Sequence, residues 1–192
     1  MGALAPIFCG MGTFCTHPFL LEFFMNTKSR FLAHGALIAA SYVALTYLQN
    51  FIFPDSASMA VQFRASEALC VLALFTPAAI PGLTIGCFLF NISFIGALPL
   101  DFLVGSLATL LATGCMWLTR RITVKGYPFL SLCMPAIFNA LLVGWELDVY
   151  IGGGFWLNAL FVAIGEATVL LTLGSLLFYA IKSRHLDSRL FR

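Results

Sequence analysis

Long apolar runs, ended by proline, glycine or charged residues, occupy most of the chain. A helix needs about 20 apolar residues to cross a hydrocarbon core about 30 Å thick. The charge-free stretch 68–100 is too long for one such helix. The segment 76–82 divides it, because it contains two prolines and a glycine, which break and end helices. The pattern therefore predicts six membrane-spanning helices, at about 31–53, 58–75, 80–97, 102–118, 127–147 and 155–181.

These runs are continuous, whereas the strands of a membrane β-barrel would alternate apolar and polar residues over about 10 positions. We therefore expect an all-α membrane protein, folded as a compact bundle of six transmembrane helices. Composition supports the same class, since 61% of the 192 residues are hydrophobic and 9% are charged. Soluble domains average about 25% charged residues. A soluble enzyme, a disordered chain and a secreted disulfide-stabilised domain are all excluded.

The basic residues predict the orientation, because cytoplasmic loops are enriched in lysine and arginine. With six spans, nine of the ten basic residues fall on one side, before the first span or after the fourth and sixth. They are Lys28, Arg30, Arg120, Arg121, Lys125, Lys182, Arg184, Arg189 and Arg192. Asp55, Asp101 and Asp148 fall on the other side. Both termini are therefore expected in the cytoplasm.

The same reading divides the chain into three parts. Residues 1–27 form an N-terminal extension in which prolines and glycines make a poor helix, and Met25 is a possible true start. An interfacial segment is the alternative for this extension. Residues 28–182 are the six-helix membrane domain, and 183–192 are a basic cytoplasmic tail.

A few polar residues lie inside the predicted spans, where a charge costs at least about 2.5–3.5 kcal/mol on insertion scales. The candidate binding residues are Arg64, Glu67, Asn91, Asn139, Glu146 and Glu166. They could satisfy one another, with Arg64 and Glu67 forming an ion pair and the asparagines bridging helices. However, three carboxylates face one guanidinium, so the spare acids need a proton or a cationic, donor-rich ligand. This excess favours a site for a polar solute, between mid-depth and the outer leaflet.

Catalytic and metal-binding motifs are missing from the sequence, and so is an ATP-binding motif. Active transport would thus draw on an ion gradient or on another subunit. A stand-alone secondary carrier with Glu166 as a proton relay is one alternative, and a membrane enzyme has no catalytic set to support it. A row of small residues on the first span, at Ala36, Ala40 and Ala44, would allow a partner helix to approach closely.

Several ordered motifs surround these polar residues. They include Gln62-Phe63-Arg64-Ala65-Ser66-Glu67, Thr76-Pro77-Ala78-Ala79-Ile80-Pro81-Gly82, Gly144-Trp145-Glu146-Leu147 and Ile164-Gly165-Glu166-Ala167. Over residues 28–181 the chain resembles the QueT family, the substrate-binding (S) components of energy-coupling factor (ECF) transporters for queuosine precursors.

The resemblance implies a six-helix S component that captures 7-cyano- or 7-aminomethyl-7-deazaguanine from outside and has no cofactor or metal of its own. It further implies a membrane coupling protein, EcfT, that contacts Ala36, Ala40 and Ala44, and two ABC-type ATPases that hydrolyse ATP. Either Glu146 or Glu166 would then accept the N–H groups of the guanine edge, and another carboxylate would bind the ammonium. Another vitamin-like substrate is the alternative within this class.

Overall fold

The computed structural model describes residues 27–54, 63–94 and 97–184. Within these ranges the chain is helical, and its one β-type contact is an isolated bridge between Val124 and Tyr127. The expected all-helical class is therefore confirmed. The expected N-terminal extension and most of the basic tail lie outside the described residues.

Along the described residues, six helical segments follow one another. They are α1 (Thr27–Ile52), a 3₁₀ helix (Ala65–Leu74), α2 (Ala79–Ser93), α3 (Asp101–Thr119), α4 (Phe129–Tyr150) and a last segment of three parts. The last segment contains α5 (Phe155–Val169), a π-helical turn (Leu170–Gly174) and α6 (Ser175–Ser183).

Four of these segments are long and apolar enough to cross a membrane: Lys28–Ile52, Asp101–Thr119, Phe129–Tyr150 and Phe155–Ser183. They correspond to the first, fourth, fifth and sixth spans expected from the sequence. The second and third expected spans correspond to shorter apolar helices, the 3₁₀ helix and α2. The count of six spans and the cytoplasmic termini therefore stay predictions.

The 3₁₀ helix is the main departure from the expected fold, since an α-helix was expected over 58–75. It lies at the centre of the bundle and contacts every other helix. Three residues per turn align Glu67, Cys70 and Ala73 on one buried line, and the Cys70 thiol donates to the Glu67 carboxylate at 3.1 Å. Small residues on this helix let its neighbours approach closely. The sequence of this run did not distinguish a 3₁₀ helix from an α-helix, because a continuous apolar run buries apolar residues with either number of residues per turn.

Helices that follow one another in sequence pack side by side, and glycines allow close approaches between them. A Cβ atom on Gly86 of α2 would lie 2.9 Å from the Cβ of Tyr42 on α1. A Cβ atom on Gly144 of α4 would lie 2.8 Å from the Cα of Ala159 on α5. These contacts bring the polar residues of neighbouring helices within reach of one another.

Replacing Gly144 tests the α4–α5 packing. Gly144→Ala forces α5 backbone to move, and such overpacking typically costs about 1–3 kcal/mol. We expect the apparent melting temperature in detergent to fall by about 5 °C. Gly114→Ala in α3 is the matched control, because nothing lies within 4 Å of its added Cβ. An equal melting temperature for both variants would contradict the close packing.

Candidate functional site

A buried ion pair joins the start of the 3₁₀ helix to the start of α3. Arg64 precedes the 3₁₀ helix in an extended conformation, with φ −106° and ψ 99°. Its Nη2 lies 3.1 Å from Oδ2 of Asp101, and the two side chains are 5% and 6% exposed. From the sequence, Asp101 was placed on the side opposite to most basic residues and was not included among the binding residues, whereas the structure buries it against Arg64. From the sequence we had also considered an ion pair between Arg64 and Glu67 on one helix. In the structure Arg64 precedes the 3₁₀ helix, and its guanidinium pairs with Asp101 at the start of α3.

Glu67 is held by protein groups on both carboxylate oxygens. The Tyr42 hydroxyl on α1 donates to Oε1 at 2.5 Å, and the Cys70 thiol donates to Oε2. Next to it, the Thr46 hydroxyl of α1 donates to the Ser66 hydroxyl at 2.7 Å. These bonds connect α1 to the 3₁₀ helix and position the Glu67 carboxylate.

Asn91 of α2 lies against the first turn of α3. Its Nδ2 donates to the backbone carbonyl of Asp101 at 3.0 Å. Gly105 makes this contact possible, because a Cβ atom there would lie 2.9 Å from Asn91 Nδ2 and 3.0 Å from Asp101 Oδ1. Asn91 Oδ1 and Asp101 Oδ1 are buried without a hydrogen-bond partner. Two acceptors therefore lie unpaired at the junction of α2 and α3.

Glu146 and Glu166 are the carboxylates with the most unused bonding capacity. Glu146 on α4 is 0% exposed, and neither of its carboxylate oxygens has a hydrogen-bond partner among the described residues. Glu166 on α5 accepts a hydrogen bond from the Asn139 side chain, while its Oε2 has no partner. A buried polar group without a partner costs about 1–3 kcal/mol, and more when it is charged. A ligand with N–H groups could donate to these carboxylate oxygens and so offset the cost of burying them.

The structure brings the six polar residues expected from the sequence into one cluster, with Arg64 among the other five. Glu146 interacts electrostatically with Arg64 and Asp101, and Glu166 interacts with Arg64 and Glu67. Among the residues that the structure describes, Arg64 is the one buried cation, while four carboxylates are buried. The cluster is thus rich in acceptors and poor in positive charge, which suits a ligand with several N–H donors.

Two members of this cluster, Asp101 and Tyr42, were missed by sequence reasoning. Asp101 stands at the edge of an apolar run, and a charge in that position normally faces water. Tyr42 carries its hydroxyl in the middle of the first span, and a buried tyrosine hydroxyl usually has a partner. That rule was the available signal for Tyr42, although it could not identify Glu67 as the partner.

The three alanines expected at a partner interface lie on the outer surface of α1. Ala36, Ala40 and Ala44 line a groove of about 760 Å³ between α1 and α2. Gly82 and Ile85 form part of the opposite wall. The alanine row is therefore separate from the polar cluster, which lies inside the bundle.

Because carboxylates outnumber cations in the cluster, we expect the two partners of the ion pair to contribute unequally to the free energy of unfolding. Arg64→Gln leaves four buried carboxylates without their cation, and breaking a buried pair typically costs about 3–5 kcal/mol. Asp101→Asn should cost less, since Arg64 keeps the electrostatic attraction of Glu67, Glu146 and Glu166. Reversible unfolding in mixed micelles measures both free energies. A larger loss for Asp101→Asn than for Arg64→Gln would show that Arg64 does not balance the cluster.

A comparison with protein families adds to this geometry. The family model described as QueT transporter matches residues 32–183, which include both the polar cluster and the alanine groove. No curated protein and no solved structure matches the chain. Since the matched region is more than half of the 192 residues, the chain belongs to the QueT transporter family.

Proposed function

We propose that this transport protein is the S component of an ECF-type importer and captures a 7-deazaguanine from outside the cell. The observation that carries the proposal is Glu146, a wholly buried carboxylate with both oxygens unpartnered. Membership of the QueT transporter family supports the transporter class. The substrate would be 7-cyano- or 7-aminomethyl-7-deazaguanine, the precursors that the sequence resemblance implies.

The chemistry of a guanine edge matches a carboxylate with two free oxygens. That edge presents a ring N–H and an exocyclic amine side by side, and a carboxylate can accept both in a bidentate pair. Glu67 is less suited, because Tyr42 and Cys70 already donate to its two oxygens. Asp101 is paired with Arg64. Glu146 is therefore our choice for the residue that recognises the edge.

Glu166 and Asn139 complete the proposed site. The free Oε2 of Glu166 would accept the ammonium of a 7-aminomethyl group, and the Asn139 amide beside it would help to position the ligand. Arg64 and Asn91 both contact Asp101 at the start of α3, and an N–H group of either side chain could donate to the ligand carbonyl. A cationic ligand would also reduce the excess of negative charge.

The partners of this S component would be EcfT and two ABC-type ATPases. The groove containing Ala36, Ala40 and Ala44 offers EcfT a smooth surface on α1, since small side chains let helices approach closely. We propose that both termini lie in the cytoplasm, where the partner ATPases would hydrolyse ATP. On this proposal the chain binds solute and docks, while ATP hydrolysis takes place in the partners.

Glu146→Gln tests the proposed substrate site. Losing a charge-assisted bidentate pair should weaken binding of the preferred deazaguanine by roughly 10- to 100-fold. Equilibrium titration of purified protein with both deazaguanines measures this, with guanine and riboflavin as comparison ligands. Asp148→Asn is the matched control, because Asp148 lies near the end of the same helix and accepts the Gly154 N–H.

Two results would count against this assignment. Full affinity in Glu146→Gln would remove Glu146 from the site. Absence of saturable binding to either deazaguanine in the unchanged protein would overturn the substrate, while leaving the family membership in place.

Ala40→Trp tests the proposed partner surface. An indole in the α1–α2 groove should weaken association with an EcfT–ATPase complex by about tenfold or more, because it overpacks a close helix contact. Substrate affinity should stay unchanged, since the groove is separate from the polar cluster. Leu37→Trp is the control, as Leu37 is exposed on α1 but does not line the groove. Co-purification that tolerates Ala40→Trp as well as Leu37→Trp would place EcfT elsewhere.

A further inference from the structure

A charged pocket lies at the end of the bundle where both α3 and α6 end. It occupies about 170 Å³ between the loop 120–128 and α6. Arg120 and Lys182 both line it, with Thr123 in the loop and Phe75 and Phe178 among its apolar walls. This pocket is distinct from the polar cluster of the proposed site, and none of the proposed site residues lines it.

The loop that forms one wall has a defined conformation. Val124 and Tyr127 exchange backbone hydrogen bonds of 2.9 and 3.0 Å, closing a tight turn. Both residues between them have positive φ, 53° at Lys125 and 79° at Gly126, as a type I′ turn requires. The Tyr127 and Ser175 hydroxyls form a hydrogen bond that ties the loop to α6. The two walls are therefore fixed relative to each other.

Contacts within the protein hold both cations at the pocket. The Arg120 guanidinium lies 3.4 Å from the Trp117 ring centroid, and its Nη1 donates to the Trp117 carbonyl at 2.6 Å. A guanidinium has five N–H donors, so others are available to a ligand. The Lys182 ammonium donates to the Gly126 carbonyl at 3.4 Å and lies 5.5 Å from the Phe178 ring centroid. Both side chains are thereby ordered before any ligand arrives.

Charge balance at this end favours an anion. In the ranges 27–54, 63–94 and 97–184, the acidic residues are Glu67, Asp101, Glu146, Asp148 and Glu166, and none of them lines the pocket. The same loop also carries Arg121 and Lys125, both exposed. Arg120 and Lys182 therefore face the pocket without a carboxylate among its lining residues.

An apolar groove continues from this pocket along the outer surface of α6. It has a volume of about 470 Å³ and is lined by Leu176, Tyr179 and Ala180, and it shares Lys182 with the charged pocket. Leu176 and Tyr179 are 69% and 56% exposed. In a membrane this surface meets lipid chains. A ligand with an anionic head and an apolar tail would fill both spaces at once.

We propose that Arg120 and Lys182 bind the phosphate headgroup of an anionic phospholipid whose acyl chain lies along α6. Basic pockets near the ends of membrane helices are suited to such headgroups. A free phosphate ion would share the headgroup chemistry, but it would leave the adjoining apolar groove unused. The continuity of the two spaces is what favours the lipid. This site is additional to the proposed function and does not depend on the substrate.

The experiment measures lipid binding to the full chain in detergent, with phosphatidylglycerol, phosphatidylcholine and inorganic phosphate as probes. We expect phosphatidylglycerol to bind more tightly than phosphatidylcholine, and inorganic phosphate to compete weakly. Arg120→Gln and Lys182→Gln should each weaken phosphatidylglycerol binding by about fivefold, the effect of one cation near a membrane surface. Arg121→Gln and Lys125→Gln are the controls, because neither residue lines the pocket.

Three results would overturn the proposal. Equal affinity for the two lipids would exclude recognition of the headgroup charge. Equal losses in the control variants would indicate diffuse attraction to a basic surface. Competition by inorganic phosphate as effective as that by phosphatidylglycerol would identify a phosphate site instead. If Arg120→Gln does not fold, Lys182→Gln decides the matter, since Lys182 is exposed and near the chain's described end.

Discussion

The ion pair between Arg64 and Asp101 is the interaction on which the interior of this protein depends. Four carboxylates are buried among the described residues, and Arg64 is the cation buried with them. Moving a charge out of water costs several kcal/mol, which only close pairing and hydrogen bonding can offset. The 3.1 Å contact with Asp101 ties the start of the 3₁₀ helix to α3, so the charge balance and the helix arrangement are set together.

The 3₁₀ helix carries this arrangement to the rest of the bundle. It contacts every other helix, and Tyr42 links it to α1 through Glu67. The α1 helix thus has two different surfaces. One contributes the buried Tyr42 to the polar cluster, and another presents Ala36, Ala40 and Ala44 in an outer groove. The first surface therefore helps to hold the polar cluster for which solute recognition is proposed, and the second is the surface proposed for partner docking.

Two regions of this protein each carry an excess of one sign of charge. Inside the bundle, Glu146 and Glu166 have carboxylate oxygens without a donor among the described residues, and the N–H groups of the proposed deazaguanine would supply donors. At the end of α3 and α6, Arg120 and Lys182 line a pocket to which no described carboxylate contributes, and the proposed lipid phosphate would supply the anion. We therefore propose a donor-rich solute for the first region and an anionic lipid for the second.

The helical membrane class could be predicted from the sequence, together with six polar residues that the structure brings into the cluster, including Glu146 and Glu166. Of the six predicted spans, four correspond to helices long and apolar enough to cross a membrane. The polar residues could be predicted because the cost of a charge in hydrocarbon is a property of the residue and its local run. Tertiary structure alone decided that Arg64 pairs with Asp101, 37 positions away, and that Tyr42 holds Glu67. It also decided that the second apolar run contains a short central 3₁₀ helix. Which side chains pair, and whether a segment is α or 3₁₀, depends here on packing between segments far apart in the sequence. The spacing of apolar residues along one segment does not specify that packing.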